Sequence, residues 1–195
     1  MYTNSSWDIN VLGAIIYEEI MKGNWIYSNT DDNKARFLLG EKGDRTLICI
    51  GINPSTAEPD KLDNTLTTVK RFSYDLGYDS WLMLNVYPQR STDPNKLDET
   101  INHNYHLGNL NQIESILLSS GVFDIWAAWG TNIKKRKYLL SCLNDIVSLT
   151  SKYSIKWYSI GRKSKEEGHP HHPLYLRKNL NLELFNINEY LKRQK

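Results

Sequence analysis

The sequence predicts an α/β protein, a three-layer α/β/α sandwich around a central, mostly parallel sheet of about four strands. Nearly continuous apolar runs are typical of strands that are covered on both faces. Stretches with apolar residues at helical spacing separate these runs. Strands that alternate with helices favour parallel pairing, because each helix carries the chain back across a face of the sheet.

The elements follow in chain order. Residues 8–22 have apolar side chains at helical spacing and predict an amphipathic N-terminal helix. Residues 25–27 and 36–39 flank a polar turn and predict a hairpin. The apolar runs then predict strands over 46–52, 81–86, 122–129 and 155–160. The intervening stretches predict helices over about 65–76, 101–118 and 133–149.

Length and composition predict one domain over residues 1–195. Residues 1–45 would form an N-terminal helix and hairpin-like cap, 46–176 a motif-bearing core and 177–195 a C-terminal helix or tail. No apolar run approaches the ~20 residues that span a bilayer, and no signal-like segment opens the chain. We therefore expect a cytoplasmic monomer without membrane contact.

Charge and cysteine content narrow the class of partner. A formal net charge of +2 permits a nucleic-acid partner without requiring one. Cys49 and Cys142 each lie in an apolar run, which favours buried reduced thiols. Three histidines lie at 169, 171 and 172, but the prolines among them restrict the backbone, so we predict no metal site and no cofactor. A single histidine acting as a hydrogen-bond donor is the preferred interpretation.

The loops after the predicted strands carry the candidate chemistry, because ligands of such sheets bind at the carboxyl ends of the strands. Asn53 follows the first strand in a proline-containing loop, and Asn85 ends the second. An asparagine amide can read both a carbonyl and an N–H of a pyrimidine edge, although either residue could simply cap a turn. Thr131 follows the third strand beside a basic block at 134–137, which by itself is ordinarily a solvated helix face.

Taken together, these loops resemble those of the uracil-DNA glycosylase superfamily. The likeness rests on GINPSTA at 51–57, LMLN at 82–85, WAAWG at 126–130 and HPLYL at 172–176. The motif sequences are closer still to those of an uncharacterised bacterial and phage family, a domain of unknown function. That second resemblance adds DNT at 63–65 and NVYPQRSTDP at 85–94.

The superfamily resemblance implies roles in base flipping and excision. Asn53 would position a water molecule, His172 would donate a hydrogen bond to the departing pyrimidine, and Asn85 would read its edge. The base would also contact Ile52, Pro54 and either Phe72 or Tyr87. Nucleic-acid and phosphate contacts would come from Ser55, Thr56, Thr131, Lys134, Lys135, Arg136, Leu174 and Tyr175, the last two as candidate wedges.

Two residues depart from the superfamily pattern. An amide cannot accept a proton, and although the mismatch-specific branch of the superfamily also uses asparagine, Asn53 stands where the classical enzymes carry aspartate. Ser55 stands where they carry an aromatic ring. The preferred interpretation is therefore a homologue that binds a base, a nucleotide, or single- or double-stranded DNA, with weak or absent uracil excision. An acidic DNA-mimicking inhibitor protein would be a further partner.

Two other interpretations stay open. The first is an active DNA glycosylase that hydrolyses the N-glycosidic bond of uracil or another modified base. The second is an unrelated nucleotide-binding α/β hydrolase.

Overall fold

A computed structural model describes residues 18–20, 24–119, 122–165 and 167–194. In this part of the chain the strands are β1 (Glu18–Ile20), β2 (Trp25–Asn29), β3 (Arg36–Glu41), β4 (Thr46–Gly51), β5 (Ser80–Asn85), β6 (Val122–Ala127), β7 (Ser154–Ile160) and β8 (Leu182–Leu184). The helices are α1 (Asn64–Asp75), α2 (His103–Ser119), α3 (Lys137–Thr150) and α4 (Ile187–Arg193). None of these helices is long and apolar enough to cross a membrane.

The prediction of a central, mostly parallel sheet of about four strands is wrong. The described strands form one eight-stranded sheet in the order β1-β2-β3-β5-β4-β6-β7-β8. Antiparallel pairs are β1 with β2, β2 with β3, β3 with β5, and β7 with β8. The three parallel pairs join β5, β4, β6 and β7. The sheet is therefore mixed. Short connections join β1 to β2 and β2 to β3 and favour antiparallel pairing, whereas the helices between the central strands allow parallel pairing.

The N-terminal prediction fails in a specific way. Residues 18–20, which were expected in a helix, form β1 and pair with β2. The rest of the predicted helix lies outside the described residues. The β2–β3 hairpin does not stand apart as a cap, because β3 pairs with β5 and continues the sheet.

The predicted strands over 46–52, 81–86, 122–129 and 155–160 are confirmed as β4, β5, β6 and β7. The predicted helix over 133–149 begins later than expected, at Lys137, because Gly130–Lys134 forms a 3-10 turn instead. Gly130 opens this turn with a φ of +63°, a conformation that favours glycine.

Each face of the sheet carries its own hydrophobic core. Ile48 and Ile50 of β4 pack in a cluster with residues of α2, α3 and α4. Their neighbours Leu47 and Cys49 face the other way and pack in a cluster with α1. Cys49 and Cys142 are both buried and free, as predicted.

The connections create a crevice beside β4. The chain passes from β4 through α1 to β5, its neighbour on one side, and then through α2 to β6, its neighbour on the other side. The loops that leave β4 and β6 therefore diverge. Such a reversal of strand order opens a ligand crevice at the carboxyl ends of the strands.

Candidate functional site

A cavity of about 890 Å³ lies at the carboxyl ends of β4, β6 and β7. The loop after β4 contributes Ile52, Asn53 and Ser55, and the turn after β6 contributes Gly130, Thr131 and Asn132. The loop after β7 contributes residues between Arg162 and Tyr175, and the N-terminus of α1 contributes Asp63–Leu66. Asn53 and His172, the two predicted catalytic residues, thus share one cavity.

The Asn53 amide has a fixed orientation. Its Nδ2 donates to the backbone carbonyls of Pro54 and Ser91, both at 2.9 Å. Two carbonyl acceptors require the NH₂ group on that side, so the assignment of Oδ1 and Nδ2 is determined by the network. No described residue donates to Oδ1. This oxygen is therefore available to accept a hydrogen bond from a water molecule or ligand in the cavity.

The His172 imidazole is a neutral donor. Its Nδ1 accepts a hydrogen bond from the backbone N–H of Leu174 at 3.3 Å, which places the ring proton on Nε2. Burial lowers the pKa of His172, with a smaller opposing effect from Asp63. A Cβ added to Gly130 would lie 3.3 Å from the His172 Cβ, so the glycine provides room for this side chain. The ring therefore offers Nε2–H as a hydrogen-bond donor at neutral pH.

A second histidine anchors the same loop. His169, which is 1% exposed, contacts Glu167 through Nε2 at 2.7 Å and the Tyr190 hydroxyl through Nδ1 at 2.9 Å. Trp129 Nε1 donates to the same hydroxyl at 3.1 Å. The Glu167 carboxylate can only accept, so Nε2 donates to it, and in the neutral imidazole Nδ1 then accepts from the Tyr190 hydroxyl. The network ties the loop after β7 to α4 and to the end of β6.

The structure does not bring Asn85 to the cavity. It pairs with Gly51 in the parallel register of β4 and β5 and is fully buried. A Cβ added to Gly51 would lie 3.1 Å from the Asn85 Oδ1, so this oxygen lies in the space beside Gly51 that a side chain would otherwise fill. Neither side-chain atom of Asn85 has a hydrogen-bond partner among the described residues. In this arrangement the Asn85 side chain therefore does not reach the cavity, and it cannot read a base there.

The two predicted stacking residues also lie elsewhere. Phe72 is buried in the core beneath α1, with its ring edge against Trp126. Tyr87 is buried on the opposite face, where its hydroxyl accepts from the backbone N–H of Asn102 at 2.8 Å. Phe72 lies on the sheet-facing side of α1, and Tyr87 lies in the loop after β5, where it packs into the core of the other face. Of the remaining base-contact candidates, Ile52 lines the cavity, whereas Pro54 is buried and does not.

The predicted phosphate contacts divide into two groups. Ser55, Thr131, Leu174 and Tyr175 line the cavity. Thr56 and Lys135 are exposed outside it, and Lys134 is paired with Glu167 at 2.5 Å. Leu174 and Tyr175 are 42% and 72% exposed, so a core role is excluded for both.

Arg136 has a structural role and does not line the cavity. Its Nε donates to the carbonyls of Leu97 and Asp98 at 2.9 and 3.1 Å. Its Nη2 donates to the carbonyls of Asn95 and Leu97 at 2.6 and 2.5 Å. The guanidinium therefore fastens the segment before α2 to the start of α3.

Replacing Arg136 by glutamine is expected to lower the free energy of unfolding by about 1–3 kcal/mol, because partly buried carbonyls lose a charged donor. Urea unfolding followed by circular dichroism measures this change. Lys135→Gln, at an exposed neighbour, should change stability by less than about 0.5 kcal/mol. Equal stability of the two variants would contradict the structural role of Arg136.

The cavity wall also carries charged residues that were not predicted as site residues, although 162–165 stands out in the sequence as a basic loop segment. Arg36, Arg162, Lys163 and Lys165 line it, against Asp63 as the single acidic side chain among the described lining residues. Arg36 begins β3 and is only 1% exposed. A charge at the head of the apolar run 36–39 was the available signal, because charged residues are seldom fully buried without a purpose. The cavity is therefore electropositive.

Comparison with known proteins gives one match. A family model described as "Protein of unknown function (DUF1643)" matches residues 36–174. This confirms the predicted likeness to an uncharacterised family, whereas the likeness to the uracil-DNA glycosylase superfamily stays a prediction. No curated protein and no solved structure matches the chain. The matched range begins at Arg36 and includes Asn53, Asp63 and His172.

Proposed function

The chain belongs to this family of unknown function, and on that premise we propose that its cavity binds a nucleotide, free or within DNA, with weak or absent excision of uracil. The observation that carries the proposal is the pairing of Asn53 and His172 in one electropositive cavity. One supplies an oriented acceptor and the other a neutral donor. A pyrimidine edge needs both kinds of partner, and a phosphate needs the positive surroundings.

Weak excision follows from the protonation chemistry of the site. An amide at Asn53 cannot take a proton from the attacking water, and it brings no negative charge to an oxocarbenium-like sugar. The buried Asn85 cannot select uracil by its edge without a movement of β4. Kinship with the uracil-DNA glycosylase superfamily and docking of an acidic DNA-mimicking protein belong to this proposal, and the electropositive lining supports both.

An active N-glycosyl hydrolase is the second candidate, and Asp63 favours it. This carboxylate lines the cavity and interacts electrostatically with His172. Its Oδ1 caps α1 by accepting from the backbone N–H of Leu66 at 2.9 Å, which leaves Oδ2 without a described partner. Oδ2 could then act on a water molecule in place of the missing aspartate at position 53.

One set of measurements separates these candidates. Calorimetric titration with uridine 5′-monophosphate and with uracil-containing single- and double-stranded oligonucleotides measures binding, and alkaline cleavage of the incubated oligonucleotides measures abasic sites. We expect binding without abasic sites for the wild type, and weaker binding for His172→Ala. Arg45→Gln, at the opposite end of β4, is the matched control and should bind like the wild type.

Two results would count against the proposal. Robust excision that His172→Ala or Asp63→Asn abolishes would establish the active hydrolase instead. Absence of binding to every nucleotide and oligonucleotide would overturn both candidates.

A further inference from the structure

We propose that the base of this cavity is a subsite for a terminal phosphate, formed by the Arg36 guanidinium and the first backbone amides of α1. The inference rests on the proposed function for the rest of the ligand. It adds that the ligand carries a phosphomonoester, as a free nucleotide or a 5′-phosphorylated strand end does. An internal phosphodiester does not meet this requirement.

The Arg36 guanidinium has an unused hydrogen-bonding edge. Its Nη1 donates to the carbonyl of Ala57 at 3.0 Å. Its Nε and Nη2 are buried and have no hydrogen-bond partner among the described residues. These two N–H groups lie side by side on one edge of the guanidinium, the arrangement that binds two oxygens of a phosphate or carboxylate. Arg36 reaches the cavity wall, so an oxyanion is the chemistry that fits this edge.

The charge of Arg36 is not compensated by the protein. Burial, and then the positive charge of Arg90, lower the pKa of Arg36 to about 10, so it stays protonated at neutral pH. Asp63 favours the charged form, but the described residues include no carboxylate within 4.0 Å of Arg36. A buried cation without a partner is unfavourable, because burial removes its hydration and nothing replaces it. Binding of an anion would offset that cost.

The neighbouring Arg90 differs from Arg36, because it has a structural role. Its Nη1 donates to the carbonyls of Ser55 and Ala57 at 2.6 and 3.3 Å, and its Nη2 to the Tyr27 hydroxyl at 2.7 Å. The Nε of Arg90, like that of Arg36, is buried without a described partner, but both of its terminal nitrogens donate, and they hold the loop after β4 in place. With that task already performed, the free edge of Arg36 is available for a ligand.

The N-terminus of α1 supplies the second half of the subsite. Asp63, Asn64, Thr65 and Leu66 all line the cavity. The Leu66 amide is capped by the Asp63 side chain, whereas the amides of Asn64 and Thr65 have no described partner. The start of a helix of 12 residues carries partial positive charge and binds phosphate through such amides.

The limited access of a ligand to the Arg36 guanidinium favours a terminal phosphate. Arg36 is 1% exposed, so only a group at the end of a ligand can reach its guanidinium from the cavity. A phosphomonoester presents three free oxygens there. An internal phosphodiester presents two and continues as a chain on both sides of the phosphorus, so it cannot approach so deeply buried a guanidinium end-on. Arg162 and Lys163, both exposed at the cavity, then lie nearer the solvent side of the ligand.

The test compares ligands that differ only in the phosphate. Calorimetry would measure wild-type binding of uridine 5′-monophosphate, uridine and inorganic phosphate, and of 5′-phosphorylated and 5′-hydroxyl oligonucleotides. We expect the monophosphate to bind about 10- to 100-fold more tightly than uridine, because charged hydrogen bonds are lost with the phosphate. Inorganic phosphate should compete. The phosphorylated oligonucleotide shows whether a strand end also serves as the source of the phosphate.

Three variants sharpen the result. Arg36→Gln should abolish the difference between nucleotide and nucleoside while keeping or raising the melting temperature. Asp63→Asn should bind the monophosphate several-fold more tightly, because asparagine also caps helices but removes a repelling charge. Arg45→Gln should match the wild type. If Arg36→Gln does not fold, the ligand comparison with the wild type and the Asp63→Asn variant still test the phosphate subsite.

Failure of the phosphate subsite and failure of the proposed function would give different results. Equal binding of uridine and its monophosphate would overturn the phosphate subsite and leave the proposed function standing. Tight binding of inorganic phosphate with no preference for the nucleotide would overturn the proposed function and leave the subsite standing. No binding of any probe would overturn both.

Discussion

Trp129→Ala is expected to lower the free energy of unfolding by about 3–5 kcal/mol. The indole is fully buried and packs against Trp157, Phe185 and Tyr190, with ring centroids 6.2, 6.1 and 5.6 Å away. Truncation leaves a cavity where β6, β7 and α4 meet. It also removes the Nε1–H that directs the Tyr190 hydroxyl toward His169. Urea unfolding followed by far-UV circular dichroism measures the loss.

Trp129→Phe is the matched control for this variant. It keeps an aromatic ring in the core but lacks the Nε1–H donor, so we expect a smaller loss of about 1–2 kcal/mol. A loss below about 1 kcal/mol for Trp129→Ala would show that the residues around the indole collapse into its space and that it is not the anchor of α4.

Glu41→Gln is expected to lower the free energy of unfolding by about 2 kcal/mol at pH 7. The Glu41 carboxylate accepts from Lys70 Nζ at 2.6 Å, and from the Tyr74 hydroxyl and Trp81 Nε1 at 2.9 Å each. It thereby joins β3 to α1 and β5. An amide offers only one acceptor oxygen for these three donors, and its NH₂ group faces at least one of them.

The effect of Glu41→Gln should depend on pH in a defined direction. Burial raises the pKa of Glu41, but the hydrogen bonds from Lys70, Trp81 and Tyr74 outweigh it and hold the pKa below its ordinary value of 4.5. A lowered carboxyl pKa stabilises the folded state above the unfolded-state pKa, and this stabilisation is lost as the pH falls through the folded-state pKa. The gap between wild type and variant should therefore narrow below about pH 4.5.

Urea unfolding at pH 7 and pH 3 checks this dependence. Glu183→Gln, on the exposed edge strand β8, is the control and should change stability by less than about 0.5 kcal/mol at pH 7. A gap for Glu41→Gln that is as large at pH 3 as at pH 7 would mean that its cause is steric and not electrostatic.

The candidate site was partly predictable. Asn53 and His172 follow predicted strands, and the carboxyl ends of parallel strands meet at one edge of a sheet. Their shared cavity follows from that rule. Asn85 also stands at a strand end, yet it pairs with Gly51 and its side chain is fully buried beside that glycine. That difference depends on the register between β4 and β5. The register is set by contacts between two separate segments of the chain.

The sequence shows Arg36 as a charge at the head of an apolar run, but for a related reason it does not place this residue at the cavity. Its Nη1 partner, the Ala57 carbonyl, is 21 residues away, and its place on the cavity wall depends on the pairing of β3 with β5. A local pattern predicts that residues 36–39 form a strand. It cannot show which strand lies beside them or what the first side chain faces.

The sequence by itself determined the positions of β4 to β7 and of α1 to α3, because apolar periodicity is a local property of the chain and matches the repeat of each element. Only the tertiary structure decided that the sheet is mixed, that Asn85 is covered and that an uncompensated arginine lines the cavity. These outcomes depend on pairing between residues far apart in the chain, which no local pattern contains.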